Sequence, residues 1–276
     1  MRLHPDDPET YLRQLGESGQ VPHDIARAAL MLAALDHADH DLKPYIAHLA
    51  EIAEQARLEA RLSVHAEHAA RSLAALLAGS FGYDGDRVTY DDPRNADLIA
   101  VIDRRRGMPV ALGVLYLHAA RAAGFEASGL NSPGHFLLRI RVRGSEALID
   151  PFNGGAALEQ ESLGAPPLMR ELAGEDLDPM HSVEDIDILL RLENNLKLRA
   201  ARSGEYRRAL EIARRMALIA PKNAGLRLDI AHFREQLGEL GAARSAFGTC
   251  LALAKPGTTL HNEATLGLDG LKRRLN

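Results

Sequence analysis

The sequence predicts an α+β protein with a helical N-terminal lobe, a core that contains a small antiparallel sheet, and C-terminal helical repeats. Apolar residues recur at helical spacing in the first third of the chain and again in the last third. Between these blocks, residues 136–149 alternate apolar and polar side chains, as half-buried strands do. Gly204 and Gly238 begin two similar segments 34 residues apart, the period of a repeated helix pair. We therefore expect two domains, residues 1–180 and residues 181–276.

The composition argues against several classes of function. The chain is 46% apolar, and its net charge of −5 comes without a long basic run, so neither a nucleic-acid surface nor an anionic membrane surface is indicated. No window reaches the length of a membrane span, and the first residues lack the apolar stretch of a signal peptide. The single cysteine, Cys250, cannot form an internal disulfide, which fits the reducing cytoplasm. We expect a cytoplasmic protein, and the oligomeric state stays open.

The helical lobe is predicted over residues 8–80. Pro22 and Pro44 each suit the first turn of a helix, and Gly79 and Gly82 close the block. The apolar positions at helical spacing are Ile25, Ala28, Ala29, Leu32, Leu58, Leu62, Leu73, Leu76 and Leu77. A loop rich in aspartate and glycine is expected next.

Residues 96–124 predict two helices separated by residues 104–109. The second helix is almost wholly apolar, with Pro109 as its first residue and Gly124 as its stop. A helix this apolar is normally buried on most sides. It should therefore lie at the centre of the first domain.

The hydrophobic period changes after this helix. Residues 136–142 predict a strand, Gly144 a turn, and residues 147–149 the returning strand. An earlier strand is expected over residues 126–130. Residues 153–180, which are rich in glycine and proline, are expected to form loop and short helix.

The C-terminal third repeats itself with a period of 34 residues. Matching positions in the two units are Gly204 and Gly238, Ala209 and Ala243, Ala213 and Phe247, and Met216 and Cys250. This is the period of the tetratricopeptide repeat, a helix pair that stacks on its neighbours. Two units are fewer than a free-standing array needs, so we expect them to lean on a preceding helix over residues 183–201 and on the first domain.

The candidate site contains two members of a nucleophilic triad. His135 stands at the head of one predicted strand, and Asp150 stands at the tail of the next. Two antiparallel strands could hold this imidazole and this carboxylate side by side, as a base and its orienting group. The usual third member is a cysteine, and Cys250 lies far downstream in a helical repeat.

Three motifs resemble one bacterial family. They are RRRGMPV at residues 104–110, PGHFLLR at residues 133–139 and IDPFNGG at residues 149–155, followed by the tetratricopeptide repeats. Together they are similar to the bacterial transglutaminase-like family described as invasion-gene regulators. The resemblance covers roughly residues 20–265, and it implies a transglutaminase-like, papain-like core and a regulatory role in a bacterium.

The resemblance also assigns roles to residues of the motifs. Active members of the wider superfamily carry a cysteine at the N-terminus of a buried helix, then a histidine and an aspartate on successive strands. The last two map onto His135 and Asp150, whereas the cysteine position maps onto Pro109, which has no nucleophilic atom. A helix N-terminus favours the thiolate form of such a cysteine. The absence of the cysteine from this position therefore puts acyl transfer in doubt. The resemblance therefore implies a vestigial or repurposed site.

Several interpretations of the site residues stay open. His135 could act as a base, bind a ligand, or be a strand-end histidine satisfied by a carboxylate, and Asp150 could simply be the turn residue before a proline. Ser132 and Tyr116 are possible replacement nucleophiles, although a turn residue and a core residue are the simpler interpretations. Asn153 lies in a glycine-rich turn that could approach a ligand or serve only as a turn.

Charged and metal-binding patterns are weaker signals. The three arginines at residues 104–106 could bind an acidic partner or a phosphate, with Arg106 nearest the helix start, although a solvated face or ion pairs are favoured. The pairs His37 with His40 and His65 with His68 have helical spacing but no obvious third ligand. No metal and no cofactor are expected, and burial is the favoured interpretation of Cys250.

The sequence favours a non-catalytic regulatory or scaffolding protein, in effect a pseudoenzyme. It would bind protein or peptide partners through its repeats and through a degenerate transglutaminase-like cleft made of Arg106, Pro109, His135, Asp150 and Asn153. The alternative is a cysteine-independent hydrolase or acyl-transfer enzyme that uses His135 and Asp150.

Overall fold

A computed structural model describes residues 7–18, 24–60, 63–132, 135–158 and 182–275, and the side chains of Ser132 and His135 lie outside the described part. The chain forms two compact units, Val21–Leu192 and a second that combines Met1–Gln20 with Glu193–Asn276. The predicted division into residues 1–180 and residues 181–276 stays a prediction.

The first unit begins with the predicted helical lobe. Its helices are α2 (Ile25–Ala34), α3 (Lys43–Ala60) and α4 (Ala66–Ala74), and a π-helical segment, Ala75–Ser80, follows α4. The carboxylate of Asp24 caps α2 by accepting a hydrogen bond from the backbone N–H of Arg27. All residues of α2 except Arg27 are buried, so this helix lies within the core of the lobe.

Two further helices lie between the lobe and the sheet in sequence, and the motif at residues 104–110 spans the end of the first and the start of the second. They are α5 (Leu98–Arg104) and α6 (Pro109–Ala122). The carboxylate of Asp97 caps α5, and α5 ends at Arg105, whose φ of 55° is left-handed. Residues 110–117 of α6 are all buried, and Gly124 follows the helix with a φ of 81°. The buried central helix between Pro109 and Gly124 is therefore confirmed.

The sheet of the first unit has five antiparallel strands in the order β6-β5-β4-β3-β7. The strands are β3 (Glu126–Ser132), β4 (His135–Val142), β5 (Ser145–Asp150), β6 (Ala156–Leu158) and β7 (Ser182–Val183). Strands β1 (Asp84–Gly85) and β2 (Arg106–Gly107) form a separate parallel pair. The predicted hairpin is confirmed, with Gly144 in its turn at a φ of 84°.

Strand β6 corrects one expectation. Loop and short helix were expected throughout residues 153–180, yet Ala156–Leu158 pairs with the last three residues of β5, residues 148–150. Its two alanines and one leucine are too short a run to show the period of a strand. The expectation for residues 159–180 lies outside the described part.

The second unit contains helix α1 and the predicted repeats. Its helices are α1 (Pro8–Ser18), most of α7 (Asp185–Arg202), α8 (Tyr206–Ile219), α9 (Ala224–Gln236), α10 (Leu240–Leu253) and α11 (Thr259–Leu275). Successive helices from α8 to α11 pack on each other, and α1 packs on α8. Gly204 and Gly238, at φ values of 73° and 75°, occupy equivalent turns before α8 and α10. Together the two units confirm the predicted α+β fold.

Candidate functional site

The first turn of α6 lies beside the head of β4 because two glycines make room for one aromatic ring. A Cβ atom on Gly113, one turn after Pro109, would overlap the ring of Phe136. A Cβ atom on Gly129 of β3 would lie 2.9 Å from Cζ of the same ring. Phe136 directly follows His135, so this contact fixes the backbone of His135 near the start of the buried helix.

The strand register relates the two predicted triad members. Ser132 pairs with His135 between β3 and β4, and Leu138 pairs with Ile149 between β4 and β5. Extending the second register by one residue sets Asp150 beside Leu137, two residues along β4 from His135. The backbone thus brings the two strand ends together as predicted, while the imidazole itself lies outside the described part.

The carboxylate of Asp150 is buried and organises a turn. Its Oδ1 atom accepts hydrogen bonds from the backbone N–H groups of Phe152 at 3.0 Å and Asn153 at 3.3 Å. Its Oδ2 atom accepts a third, at 2.6 Å, from the side-chain amide of Asn153. Asp150 therefore caps the short 3₁₀ helix Pro151–Asn153, which is the turn role that its position before a proline indicated.

Arg87 clamps this turn from the opposite side. Its Nη2 atom donates to the carbonyl of Phe152 and to Oδ1 of Asn153, both at 2.9 Å. The guanidinium also stacks 5.1 Å from the centre of the Phe152 ring. A Cβ atom on Gly85 would lie 2.6 Å from that ring, so the loop passes the turn closely. Both ends of the Asn153 side chain are thus occupied within the protein.

Sequence reasoning predicted the loop that contains Arg87 but missed the role of Arg87 in it. The only available signal was the acidic and glycine-rich composition of the segment, which also describes ordinary surface loops. The ring of Tyr90 also packs on the ring of Phe152, in a T-shaped contact with 5.8 Å between the ring centres. Tyr90 is 46% exposed, so this aromatic pair forms part of the surface beside the turn.

Among the described side chains, none at the start of α6 is a nucleophile. Pro109 occupies the first helical position, and Met108 precedes it as the N-cap without a side-chain capping bond. The sulfur of Cys250 lies in α10 of the other unit, where the residue is fully buried. Burial also raises the pKa of the Cys250 thiol, and the nearby Glu263 adds to this effect. Burial of the cysteine, as expected, is confirmed.

The side chains of the three consecutive arginines have different interaction partners. Arg104 forms an ion pair with the buried Asp86 at 2.8 Å and donates to Asn95 at 3.0 Å. Arg105 donates to His48 and to Tyr83. Arg106 is exposed and donates only to backbone carbonyls among its described partners. The run is thus divided between internal anchors and one surface residue, and the ion pair with the acidic loop that the sequence favoured is present for Arg104.

Tyr116 is buried in α6, as the simpler interpretation predicted, but its hydroxyl group has no hydrogen-bond partner among the described residues. The hydroxyl lies against Gly155, where a Cβ atom would overlap it. Burial raises the pKa of Tyr116, and the carboxylates of Asp84 and Asp150 raise it further. The phenol is therefore neutral and a poor nucleophile.

The four histidines of the two helical pairs are used individually. His37 Nε2 lies 2.7 Å from Oδ2 of Asp97, and its ring meets that of His40 at 4.7 Å. His68 Nδ1 lies 3.2 Å from the Ser63 hydroxyl, and His65 is the N-cap of α4. Within the described ranges, no three His, Cys, Asp or Glu side chains are grouped to hold a metal ion.

Comparison with known families agrees with this geometry. The profile of the transglutaminase-like superfamily matches residues 43–194, which include α6 and strands β3 to β5. The chain belongs to this superfamily. A tetratricopeptide repeat profile matches residues 196–263, which contain α8, α9 and α10.

Similar proteins occur in bacteria and in the mouse. A UPF0162 protein of Xylella fastidiosa is 33% identical over 175 residues, 61% of this chain and 62% of that protein. A UPF0162 protein of Pseudomonas aeruginosa is 29% identical over 211 residues, 74% of this chain and 75% of that protein. F-box only protein 21 of Mus musculus is 35% identical over 78 residues, 28% of this chain and 12% of that protein. The chain spans less than two thirds of the Xylella relative, and no solved structure matches.

None of the helices in the described part combines the length and the apolar character that crossing a bilayer demands.

Proposed function

We propose that this member of the transglutaminase-like superfamily is a non-catalytic regulatory or scaffolding protein of the bacterial cytoplasm. The observation that carries the proposal is Pro109 at the first position of α6, where the superfamily's thiol would stand. The turn that Asp150 caps nevertheless keeps its hydrogen bonds, so the fold of the cleft is kept without its nucleophile. Regulation of invasion genes, which the family resemblance suggests, is one form that this role could take.

Two surfaces support partner binding. Tetratricopeptide repeats generally mediate contacts between proteins, and the helices α8 to α10 form such an array. The cleft residues Arg106, Pro109, His135, Asp150 and Asn153 would supply a second surface. We also propose that residues 1–180 and residues 181–276 act as separate domains, which limited proteolysis of the whole chain would test by the position of the first cut.

The catalytic alternative is tested by activity. The wild-type protein and His135→Ala should give equal background rates on a panel of amide, ester and thioester substrates, because no nucleophile starts the reaction. A turnover in the wild type that His135→Ala removes would establish the cysteine-independent hydrolase, with Asp150 as the orienting group.

The missing thiol can also be supplied. Pro109→Cys places a thiol at the N-terminus of α6, where the helix dipole lowers a thiol pKa. We expect this thiol to react with iodoacetamide much faster than the buried Cys250 of the wild-type chain. If both react equally slowly, the start of α6 is closed to solvent, and the cleft is not a binding surface.

Binding through the repeats is tested with the whole chain. Leu198 is 41% exposed on α7 in the repeat unit, and Leu198→Glu should release partners that the wild-type bait retains from a lysate of the bacterium that makes this protein. Val88→Glu in the first unit is the control, because Val88 is 94% exposed. Repeated failure of the intact wild-type bait to retain any specific protein contradicts the proposal.

A further inference from the structure

A surface cavity of about 410 Å³ lies between α3 and the end of α5, apart from the candidate cleft residues. Its lining residues are His40, Asp41, Pro44, Tyr45, His48, Ile102, Asp103 and Arg105. All of them belong to the unit Val21–Leu192. The size suits a small molecule, and the lining combines an apolar floor with charges of both signs.

Arg105 is the fixed point of this cavity. Its φ of 55° is unusual for a residue other than glycine, and backbone conformations of this kind often mark binding sites. Its Nη1 atom donates to His48 Nε2 at 2.7 Å and to the hydroxyl of Tyr83, and its guanidinium stacks 4.8 Å from the centre of the Tyr83 ring. Among the described residues, Nε and Nη2 of Arg105 have no protein partner.

The partners of Arg105 fix its orientation. A guanidinium can only donate, so Nε2 of His48 must accept, and the imidazole is neutral with its proton on Nδ1. The hydroxyl of Tyr83 accepts from Arg105 and lies 2.8 Å from the same Nε2 atom. Tyr83 is buried, so one member of this hydrogen-bond network is held in the core of the protein. The free edge of the guanidinium is therefore held in place before any ligand binds.

Acidic groups stand at the rim of the same cavity. Asp103 accepts a hydrogen bond from the hydroxyl of Tyr45 through Oδ2 at 3.1 Å, which leaves Oδ1 available. Asp41 accepts from the backbone N–H of Lys43 through Oδ1 at 3.0 Å, which leaves Oδ2 available. Both carboxylates are exposed, and Pro44 supplies apolar surface beside them.

We propose that this cavity binds a free α-amino acid. The α-carboxylate would meet the open edge of Arg105, and the α-ammonium would meet the free oxygens of Asp103 and Asp41. One arginine faces two aspartates, so the permanent charges of the lining favour a ligand with a second positive group. The order of affinity is basic amino acids first, then neutral ones, then acidic ones. This site is independent of the proposed partner binding.

The test is calorimetric or NMR titration of the intact chain with lysine, leucine and glutamate, each up to about 10 mM. Lysine should bind most tightly and glutamate least. Lysine with its α-amine acetylated and its carboxylate amidated should bind at least ~10-fold more weakly, because both α-charges are lost. Absence of binding by every free amino acid, or equal binding of the capped compound, overturns the proposal.

Variants assign the contacts. Arg105→Gln should weaken lysine and leucine alike by at least ~10-fold, since both carry the α-carboxylate. Asp103→Asn removes an exposed charge without disturbing the Arg105 network, and it should reduce the preference for lysine over leucine. Asp39→Asn, exposed outside the lining, is the matched control and should bind as the wild type does. Unchanged selectivity in Asp103→Asn places the ligand elsewhere and contradicts the proposal, even if Arg105→Gln does not fold.

Discussion

Each unit of the protein buries a phenylalanine ring against a helical glycine, but with different consequences. In the transglutaminase-like unit, Phe136 comes from strand β4 and packs on Gly113 of α6. In the repeat unit, Phe247 comes from helix α10 and packs on Gly267 of α11. Both rings are fully or nearly fully buried. The same device therefore joins a strand to a helix in one unit and two helices in the other.

The difference lies in what the ring positions. Phe136 neighbours His135 in sequence, and Gly113 lies one turn from Pro109, so this contact sets two parts of the candidate cleft against each other. Ile188 and the guanidinium of Arg191 close around the same ring, the latter 5.6 Å from its centre. Phe247 instead packs on helices, against Gly267 of α11 and the ring of His232 in α9 at 5.3 Å. The first contact serves the site, whereas the second serves helix stacking.

The largest expected effect is that of Gly113→Ala. The new methyl group would overlap the Phe136 ring, which Gly129 and Ile188 already confine, so the strand head must move away from α6. We expect a loss of unfolding free energy of about 1–3 kcal/mol, measured by urea denaturation. Iodoacetamide labelling of Pro109→Cys should also change in this background.

Gly248→Ala provides the control. Gly248 also lies within a helix, α10, but apart from the adjacent residues and backbone of its own helix, a Cβ atom there has no described atom within 4 Å. Alanine should be neutral or stabilising by up to about 1 kcal/mol, because it favours the helix over glycine. Equal effects of the two substitutions would show that the overlap with Phe136 is relieved without cost, and that the ring does not hold the cleft together.

A smaller effect is expected for the equivalent glycine of the repeat unit. Gly267→Ala would overlap the Phe247 ring, but α11 packs mainly on the helices α9 and α10 and can shift along them, so about 1 kcal/mol is expected. Gly270 lies in the same helix with no atom near its Cβ position, so Gly270→Ala is the matched control. A loss for Gly267→Ala larger than that for Gly113→Ala would reverse the proposed contrast between the units.

The sequence predicted the parts of the fold that periodicity specifies. The apolar run that Pro109 starts indicated a buried helix, and the alternation after His135 indicated a half-buried strand. The 34-residue offset between Gly204 and Gly238 likewise predicted the repeats. Strand β6 was missed because three residues are too few for a period, and its pairing with β5 depends on tertiary context.

The candidate site was predictable only in part. The turn role of Asp150 followed from Pro151, since aspartate before proline commonly caps a turn. The sequence favoured ion pairs for the arginine run, but it could not assign individual partners to Arg104 and Arg105, because adjacent residues with the same charge carry no sign of which way each side chain turns. Their actual partners, Asp86 and Tyr83, lie in a loop about twenty residues earlier, and only the fold brings that loop to the end of α5.

The units differ again in how they bury polar groups, and this difference predicts the smallest effect. The repeat unit holds ion pairs between helices: Glu193 and Arg215 are both buried, and the buried Lys197 pairs with Asp229. The transglutaminase-like unit also contains ion pairs, such as Arg104 with the buried Asp86, and in addition it holds the imidazole of His48 against Arg105. Burial lowers the pKa of His48 below its ordinary value, and the positive charge of Arg105 lowers it further.

A lowered pKa means that the folded protein binds a proton at His48 less readily than the unfolded chain does. The stabilisation by neutral His48 is therefore complete above the ordinary histidine pKa of about 6.5, and it declines as the pH falls below that value. Urea midpoints for the transglutaminase-like unit, measured between about pH 7.5 and pH 5.5, should fall less steeply in His48→Gln than in the wild type. His65→Gln, which changes an exposed histidine without a capping bond, should keep the wild-type slope. Identical slopes in all three proteins would show that the proton affinity of His48 is the same in the folded and unfolded states, and the polar network around Arg105 would then carry no part of the difference between the units.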